Sequence, residues 1–286
     1  MAIVVNTNQS SLLVQKNLNK AQSSLNASIE RMSTGYKVNR AADDAAGLSI
    51  ATKMNTQIRG SEVAKSNIQQ GINVLQTTEG DLTSIQTNLN RIRDLALQAS
   101  NGVNSTESTD AMISEVKALV DEINRTAQGS EFNGKELLSA DAVDSIRIQV
   151  GPNSESSINA IDIEDVFGDA QATALGLLDG TANFDTIDDA FATDTDAASF
   201  VEDCDNALKE ISGRISGIGA YQNRLTNALD GLTVRAENLT SAKSTIMDAD
   251  VATEASTYTK ASILQQASAA LLAQANQSPS IALTLI

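Results

Sequence analysis

The sequence contains no histidine and no tryptophan, and it has one cysteine and two prolines among 286 residues. Without histidine the chain lacks the usual general base at neutral pH, and it cannot build Ser-His-Asp, Cys-His or HExxH zinc sites. The single Cys204 cannot form an internal disulfide or a zinc cluster, and we expect a small, half-buried residue there. These absences predict a protein that is not an enzyme and that holds no metal or cofactor.

Aromatic residues make up 3% of the chain although 41% is hydrophobic, so the apolar content is mostly Ala, Leu, Ile and Val. Such a composition is typical of helix seams rather than of deep pockets. No run of 18 apolar residues is present, so we expect no transmembrane helix. The first residues lack a Sec-type signal, which predicts a cytoplasmic protein or one exported by another route.

The formal net charge of −16 is concentrated in one segment. Residues 141–205 hold sixteen acids and one base, whereas the remaining 221 residues hold twenty acids and nineteen bases. Residues 1–15 and 261–286 carry no charged side chain. This distribution predicts buried ends and a solvated middle, and the lack of a basic patch argues against nucleic-acid binding.

The clearest periodic signal runs over residues 208–246. Ten of twelve positions spaced at alternating steps of three and four are apolar, which predicts one long helix packed along a partner helix. These seam positions are Leu208, Ile211, Ile215, Ile218, Gln222, Leu225, Leu229, Leu232, Ala236, Leu239, Lys243 and Ile246.

Four further helices are predicted by the same spacing. Their ranges are about 12–32, 57–99, 107–128 and 250–276, the last one ending before Pro279. The second has a phase hitch near residues 78–80, as a three-residue stammer would give, and residues 34–56 have a mixed pattern. The buried face of the first helix is predicted to consist of Val14, Leu18, Ala21, Leu25, Ile29 and Met32.

The middle of the chain predicts a β-hairpin followed by an acidic segment. Residues 145–150 and 157–163 alternate apolar and polar around a turn at 151–154. For residues 164–200 the weak pattern predicts loop, short helix or small strands, with a solvated acidic surface. Asp194, Asp196 and Asp205 loosely resemble a calcium loop, but the required glycine is absent, and the adjacent Asp43 and Asp44 lack a third ligand.

The last helix predicts self-association. Between Ala261 and Ala275 ten of fifteen residues are Ala, Ile or Leu, and they lie on nearly all faces. One N-terminal helix cannot surround such a helix, so other copies of the chain must cover it. A surface that meets a different surface of the next copy makes rings or open helical filaments. We expect the ends to be disordered until assembly, because a lone copy buries too little to offset the ordering entropy.

Six stretches stand out as motifs of one known family. They are ERMSTGYKVNRAADDAAG at 30–47, NRIRDLALQ at 90–98, EFNGK at 131–135, NLTSA at 238–242, ILQQ at 263–266 and LAQANQ at 272–277. Together they resemble the bacterial flagellins, and they occur in family order over about residues 1–165 and 205–286. The resemblance implies a structural subunit that polymerises into a flagellar filament. The nearest alternative is a hook–filament junction protein of the same superfamily. An enzyme or a metal-dependent adhesin with its chemistry in 164–205 is the alternative from another class.

The resulting fold class is mainly α: a long antiparallel α-helical coiled-coil rod with terminal helices and a small β-hairpin region. The resemblance implies that the terminal helices form an inner tube and that the rod forms a second layer. The expected domains are residues 1–45 and 248–286 for the inner tube, 46–165 and 206–247 for the rod, and 166–205 for a short acidic outward-facing segment.

The resemblance also implies the partners and one contact site. It implies export, unfolded, through the flagellar type III apparatus to the extracellular filament, with an export chaperone, a filament cap and junction proteins as partners. In flagellins that bind Toll-like receptor 5, the matching contact residues here would be Arg91, Leu95 and Glu115. Packing between subunits is the favoured role for the same residues.

Overall fold

The computed structural model describes residues 7–178 and 185–283, most of which are helical. Over these residues the helices are α1 (Gln9–Thr34), α2 (Ala45–Ala99), α3 (Thr106–Gly129), α4 (Ser156–Asn159), α5 (Asp185–Ala190), α6 (Asp194–Met247) and α7 (Val251–Leu283). The strands are β1 (Glu131–Phe132), β2 (Lys135–Glu136), β3 (Ser145–Gln149) and β4 (Ala160–Glu164). The predicted fold class, long helices with a small antiparallel hairpin, is confirmed.

The chain forms two compact units. The terminal unit comprises Met1–Ile58 and Glu237–Ile286, and the central unit comprises Arg59–Ala236. The units divide inside α2 and α6, whereas the sequence predicts domain boundaries at 45/46 and 247/248. The sequence predicts domain boundaries at loops, whereas each of the two long helices continues from one unit into the other.

The predicted seam of α6 is confirmed. Ile211, Ile218 and Leu225, spaced by seven, are completely buried, and each of the other seam positions is at least partly buried. The helix begins at Asp194, well before the predicted Leu208. The steps of three and four continue backwards from Ile211 through buried positions, which are Ala207, Cys204, Phe200 and Ala197. The sequence did not reveal this extension, because its buried residues are mostly small and stand among acidic ones.

Helix α2 also starts earlier than predicted, at Ala45 instead of about residue 57. The Asp44 carboxylate accepts a hydrogen bond of 2.9 Å from the Gly47 amide, so a side chain satisfies a free donor of the first turn. The stammer predicted near residues 78–80 is absent, because the buried positions Ile68, Gly71, Leu75, Thr78 and Leu82 keep the alternating steps of three and four. There Thr78 is completely buried, and its hydroxyl donates to the Val74 carbonyl at 3.0 Å.

Helix α3 and the strands after it complete one side of the central unit. Met112 is buried, whereas the adjacent Ile113 is only partly buried. Asn133 and Gly134 form a tight hairpin turn between β1 and β2, with positive φ at both residues (52° and 74°). Such values are the type I′ geometry that Asn-Gly favours.

The predicted hairpin is present with a shorter second strand. Strands β3 and β4 pair antiparallel, with Ile146 opposite Ile163 and Ile148 opposite Ile161. The predicted apolar face is confirmed, because three of these four side chains are buried. Residues 157–159 belong to α4 rather than to the strand, since the Glu155 carbonyl accepts the Asn159 amide in a helical turn at 3.0 Å.

The acidic segment is only partly the solvated surface that the sequence predicts. Its described carboxylates are exposed, apart from the partly buried Asp169, but its apolar residues belong to the core of the central unit. These buried residues are Val166, Phe167, Ala170, Ala172, Leu175, Leu177, Leu178, Ile187, Phe191, Ala197 and Phe200. The residues bury themselves by docking on other elements, which a weak local pattern does not reveal.

Arg214 of α6 and Asn124 of α3 fix this segment in place. The Arg214 guanidinium donates to the carbonyl oxygens of Gly168 and Asp169 at 2.9 and 3.0 Å. The Ala172 amide donates to the Asn124 side chain at 2.9 Å. The segment thus lies across two helices and is held by its backbone.

Candidate assembly surface

Helices α1 and α7 form an antiparallel pair in the terminal unit. Near one end the Asn8 side-chain amide donates to the Ala275 carbonyl at 2.7 Å. Near the other end Arg31 lies 3.9 Å from the Glu254 carboxylate. The sum of the paired residue numbers is nearly constant, as an antiparallel pair requires.

The centre of this pair is made of small residues. The buried positions are Ala21 and Ser28 in α1 and Ala261 and Ser268 in α7, and each pair is spaced by seven. Seven-residue spacing is the repeat of a coiled-coil seam. Small residues let the two backbones approach closely, but they bury little apolar area.

The predicted face of α1 is only partly correct. Val14, Leu18 and Leu25 are partly buried, but Ile29 is 48% exposed and Met32 is 39% exposed. Ser28 occupies the buried position because it continues the alternating steps from Leu25. The large residues after it turn outward.

The outer faces of both helices carry large apolar side chains that are exposed to a large extent. Leu13 and Ile263 are each 61% exposed. Large apolar patches on a soluble protein mark interaction surfaces. The exposed members are Leu12, Leu13, Ile29 and Met32 on α1, and Val251, Tyr258, Ile263, Leu264 and Leu271 on α7.

A shallow groove of about 530 Å³ runs between the two helices. Leu264, Leu271 and Ala267 supply apolar walls, and Lys20 and Lys260 stand at its rim. The sequence between Ala261 and Gln277 supplies no charge that would oppose burial. The groove and the outer faces together form a candidate assembly surface, which we define as the exposed apolar residues of α1 and α7.

Helix α7 is longer than predicted and continues beyond Pro279 to Leu283. A proline removes one backbone hydrogen bond and weakens a helix without excluding it. The alanine- and leucine-rich stretch before it has high helix propensity. At the start of the helix, the Asp250 carboxylate accepts the Ala252 amide at 2.9 Å and caps the first turn.

The two linkers of the terminal unit are tied to each other. The Lys37 amide donates to the Met247 carbonyl at 2.6 Å, and the Ala249 amide donates to the Gly35 carbonyl at 2.9 Å. Asp43 accepts two backbone amides of its own loop, which together hold the pKa of its carboxyl below the usual value. The adjacent Asp43 and Asp44 therefore serve as backbone acceptors in the same loop.

The three contact residues predicted from the resemblance lie together in the central unit. The Arg91 guanidinium of α2 is paired with the Glu115 carboxylate of α3 at 2.6 Å, and both side chains are about half exposed. Leu95 lies one turn after Arg91 but is only 3% exposed, inside the core. The ion pair is accessible to a partner, whereas the Leu95 side chain packs α2 internally.

The described residues hold no cluster of three or more His, Cys, Asp or Glu side chains that could bind a metal ion. Within 7–178 and 185–283 no helix is long and apolar enough to cross a membrane. Cys204 is completely buried rather than half-buried, and its burial raises the thiol pKa to about 12. A buried thiol of this kind is unreactive.

Two family profiles match the sequence. The bacterial flagellin N-terminal helical region matches residues 5–142, and the bacterial flagellin C-terminal helical region matches residues 201–286. The flagellin of Halalkalibacterium halodurans is 41% identical over 270 residues, which cover 94% of this chain and 93% of that protein. The flagellar filament 30.7 kDa core protein of Treponema maltophilum is 36% identical over 280 residues, with 96% of both chains covered.

A solved structure from Vibrio parahaemolyticus, described as a flagellar hook-associated protein, has the same fold. It superimposes with a TM-score of 0.58 at 16% identity, covering 71% of this chain and 99% of that one. At this identity the similarity concerns the fold alone. The two relatives reported above, by contrast, are named a flagellin and a flagellar filament core protein.

Proposed function

The chain belongs to the bacterial flagellin family and is a structural subunit of a flagellar filament, and we propose that the assembly surface of α1 and α7 carries the contacts between its copies. The observation that supports this role is the outward display of large apolar side chains on a helix pair whose centre holds only small residues. Exposing such a surface to water is unfavourable, and burying it against the same kind of surface on a second copy is favourable. The alternative role, as a hook–filament junction protein, has less support.

The layers of the filament follow from the same contrast. Residues 1–45 and 248–286 form the inner tube, where copies surround each other's apolar helices. Residues 46–165 and 206–247 form the second layer, because the central unit buries its own core. Residues 166–205 face outward with their exposed carboxylates, which repel neighbours less when they point to solvent.

Folding of the terminal helices is coupled to assembly. In a free copy α1 and α7 bury four small side chains between them, while ordering a residue costs about 1–2 kcal/mol of backbone entropy. Isolated helices are marginal in water, and most helical stability comes from tertiary packing. Contacts with neighbouring copies supply the missing burial, so the helices become stable as the subunit joins the filament.

The subunit acts outside the cell as a structural protein, not as an enzyme. It is exported through the flagellar type III apparatus and meets an export chaperone, junction proteins and a filament cap on its way. The Arg91–Glu115 ion pair is an accessible contact for a neighbouring subunit or for Toll-like receptor 5. Leu95 contributes to such a contact by packing beneath it, since its side chain is inside the core.

Seeded polymerisation tests the proposal. Purified monomer is mixed with short filament fragments, and filament length is measured by electron microscopy. We expect long filaments from the intact chain and none from chains lacking 1–30 or 261–286. The sharper variant is Ile263→Gln with Leu264→Gln, which removes apolar surface that the monomer exposes anyway.

The matched control is Val103→Gln, which changes an exposed apolar residue of the central unit. We expect the control to polymerise and the α7 variant to remain monomeric with an unchanged melting temperature. Equal polymerisation of the α7 variant and the intact chain would refute the proposed role of the surface. If the intact chain adds only a short segment to a hook end, the junction-protein role is correct instead.

A further inference from the structure

Two of the twelve seam positions of α6 are polar, and the structure gives both a partner on α2. The Gln222 side-chain amide donates to the Glu79 carboxylate at 2.8 Å. The Lys243 ammonium donates to the Asn55 side-chain oxygen at 3.0 Å. Both contacts are partly buried, and each lies within one of the two compact units. A seam that is otherwise apolar therefore has polar contacts at two defined levels.

The Gln222–Glu79 contact lies beside a polar level in the seam of α2. The buried positions Ala64, Ile68, Gly71, Leu75, Thr78 and Leu82 keep alternating steps of four and three. The seam of α2 therefore keeps its period here, with a threonine in place of a large apolar residue. Thr78 satisfies its own hydroxyl within the helix, and the adjacent Glu79 reaches across to α6.

Apolar positions alone do not fix the register of two long helices, because a shift by seven residues places one apolar seam against another. A shift of α6 by one heptad would place Ile215 or Leu229 at the level of Glu79. The carboxylate would then face an apolar side chain without a donor, which is costly for a partly buried group. A single polar pair in a coiled coil specifies register at some cost in stability.

We propose that Gln222 and Glu79 determine the register of α6 against α2. A fixed register would serve the proposed filament role, because a regular helical assembly needs the same geometry in every copy. Only this benefit rests on the proposed function. The proposal itself concerns the folded monomer, so it can be tested without any polymerisation.

The test uses disulfides as a measure of register in the monomer, with Cys204→Ala as background. The Gln86 side-chain amide donates to the Ser212 hydroxyl at 3.0 Å, so these two positions face each other and Q86C with S212C reports the native register. Q86C with G219C reports a shift by one heptad, and Q86C with D205C reports the opposite shift. Cross-linking yields under mild oxidation are compared for each pair by non-reducing gel electrophoresis.

In the chain with Gln222 and Glu79 we expect the native pair alone to cross-link efficiently. With Gln222→Leu and Glu79→Leu we expect the yield of a shifted pair to rise at least tenfold, while helix content and melting temperature do not fall. Tyr221→Phe is the matched control, since it removes a neighbouring hydroxyl that accepts the Glu164 amide but does not face α2 in the seam. This control should keep the native register.

A charge swap keeps the test decisive if the double leucine variant misfolds. Gln222→Glu alone places two carboxylates together and should reduce native cross-linking, whereas Gln222→Glu with Glu79→Gln restores an amide–carboxylate contact and should restore the yield. Native cross-linking alone in the double leucine variant, or no rescue by the swap, would overturn the proposal. Failure to form filaments with normal native cross-linking would instead count against the proposed function.

Discussion

The two compact units bury residues at the same helical spacing but of different size. In the central unit the completely buried positions include many large side chains, such as Ile68, Leu89 and Ile211. Between α1 and α7 of the terminal unit the buried positions are Ala and Ser, and large side chains of both helices are exposed. The steps of three and four are alike in both, so spacing alone does not tell a finished core from an unfinished one.

The two units therefore obtain their stability from different contacts. The central unit removes its own large apolar side chains from water, at about 25 cal/mol for each Å². The terminal unit has little to gain from its own two helices and much to gain from other copies. A filament subunit built in this way stays folded in its middle while its ends wait for neighbours.

The largest expected effect comes from the core of the central unit. Leu89→Ala should lower the free energy of unfolding of the monomer by about 2–5 kcal/mol, since it leaves a cavity at a completely buried position. Leu271→Ala in α7, at a side chain that is 57% exposed, should change monomer stability by less than about 0.5 kcal/mol. Urea unfolding followed by circular dichroism measures both.

The same two variants separate folding from assembly. Leu271→Ala should slow seeded polymerisation although the monomer is as stable as before. A loss of monomer stability from Leu271→Ala comparable with that from Leu89→Ala would mean that the terminal unit is already a finished core, and the contrast between the units would be lost.

A middle-sized effect is expected where the acidic segment docks. Arg214→Ala should lower the free energy of unfolding by about 1–3 kcal/mol, because two partly buried carbonyl oxygens lose their donor. Protease cleavage between residues 165 and 178 should become faster. Arg125→Ala is the control, since Arg125 forms an exposed ion pair with Glu122 of its own helix. Equal protease sensitivity of both variants would show that Arg214 does not hold the segment.

The smallest effect concerns two neighbouring carboxylates of α6. Arg93 holds the pKa of Asp205 below its usual value, mainly through a hydrogen bond. The contact therefore stabilises the fold at pH values above the usual pKa of this carboxyl. This stabilisation is lost as the pH falls through the lowered pKa of the folded state. Desolvation, together with the charge of the nearby Glu202, raises the pKa of Asp203. The negative charge of Asp203 therefore destabilises the fold at neutral pH, and protonation removes this destabilisation.

Asp205→Asn should therefore lower the melting temperature slightly at pH 7, and the difference from the parent should shrink below pH 4. Asp203→Asn should raise the melting temperature slightly at pH 7. Melting curves from pH 3 to pH 7 at low salt measure both changes. Shifts of the same sign at pH 7 would contradict the assigned environments.

The sequence predicts the regular parts of this fold because their burial follows a local period. The seam from Leu208 to Ile246 and the alternation of strands β3 and β4 each follow from the spacing of neighbouring residues. What the sequence missed depends on distant contacts. The burial of Phe167 and Ala172 requires α3 and α6, and the outward turn of Ile29 requires the small residues of α7.

The candidate site shows the same limit. The apolar, uncharged character of α7 predicts a surface that other copies cover, and the described exposure of Ile263 and Leu264 fits that interpretation. The contact at Arg91 and Glu115 came from the resemblance, and its role stays a prediction. The burial of Leu95 could not be read from its motif, because it depends on packing in the core of the central unit.

Hydrogen exchange, measured by mass spectrometry on monomer and filament under the same conditions, shows whether neighbouring copies stabilise the terminal helices. We expect the amides of α1 and α7 to exchange rapidly in the monomer and to become strongly protected in the filament, while α3 and the central part of α6 are protected in both. Strong protection of α1 and α7 in the free monomer would contradict the claim that the terminal helices owe their stability to neighbouring copies.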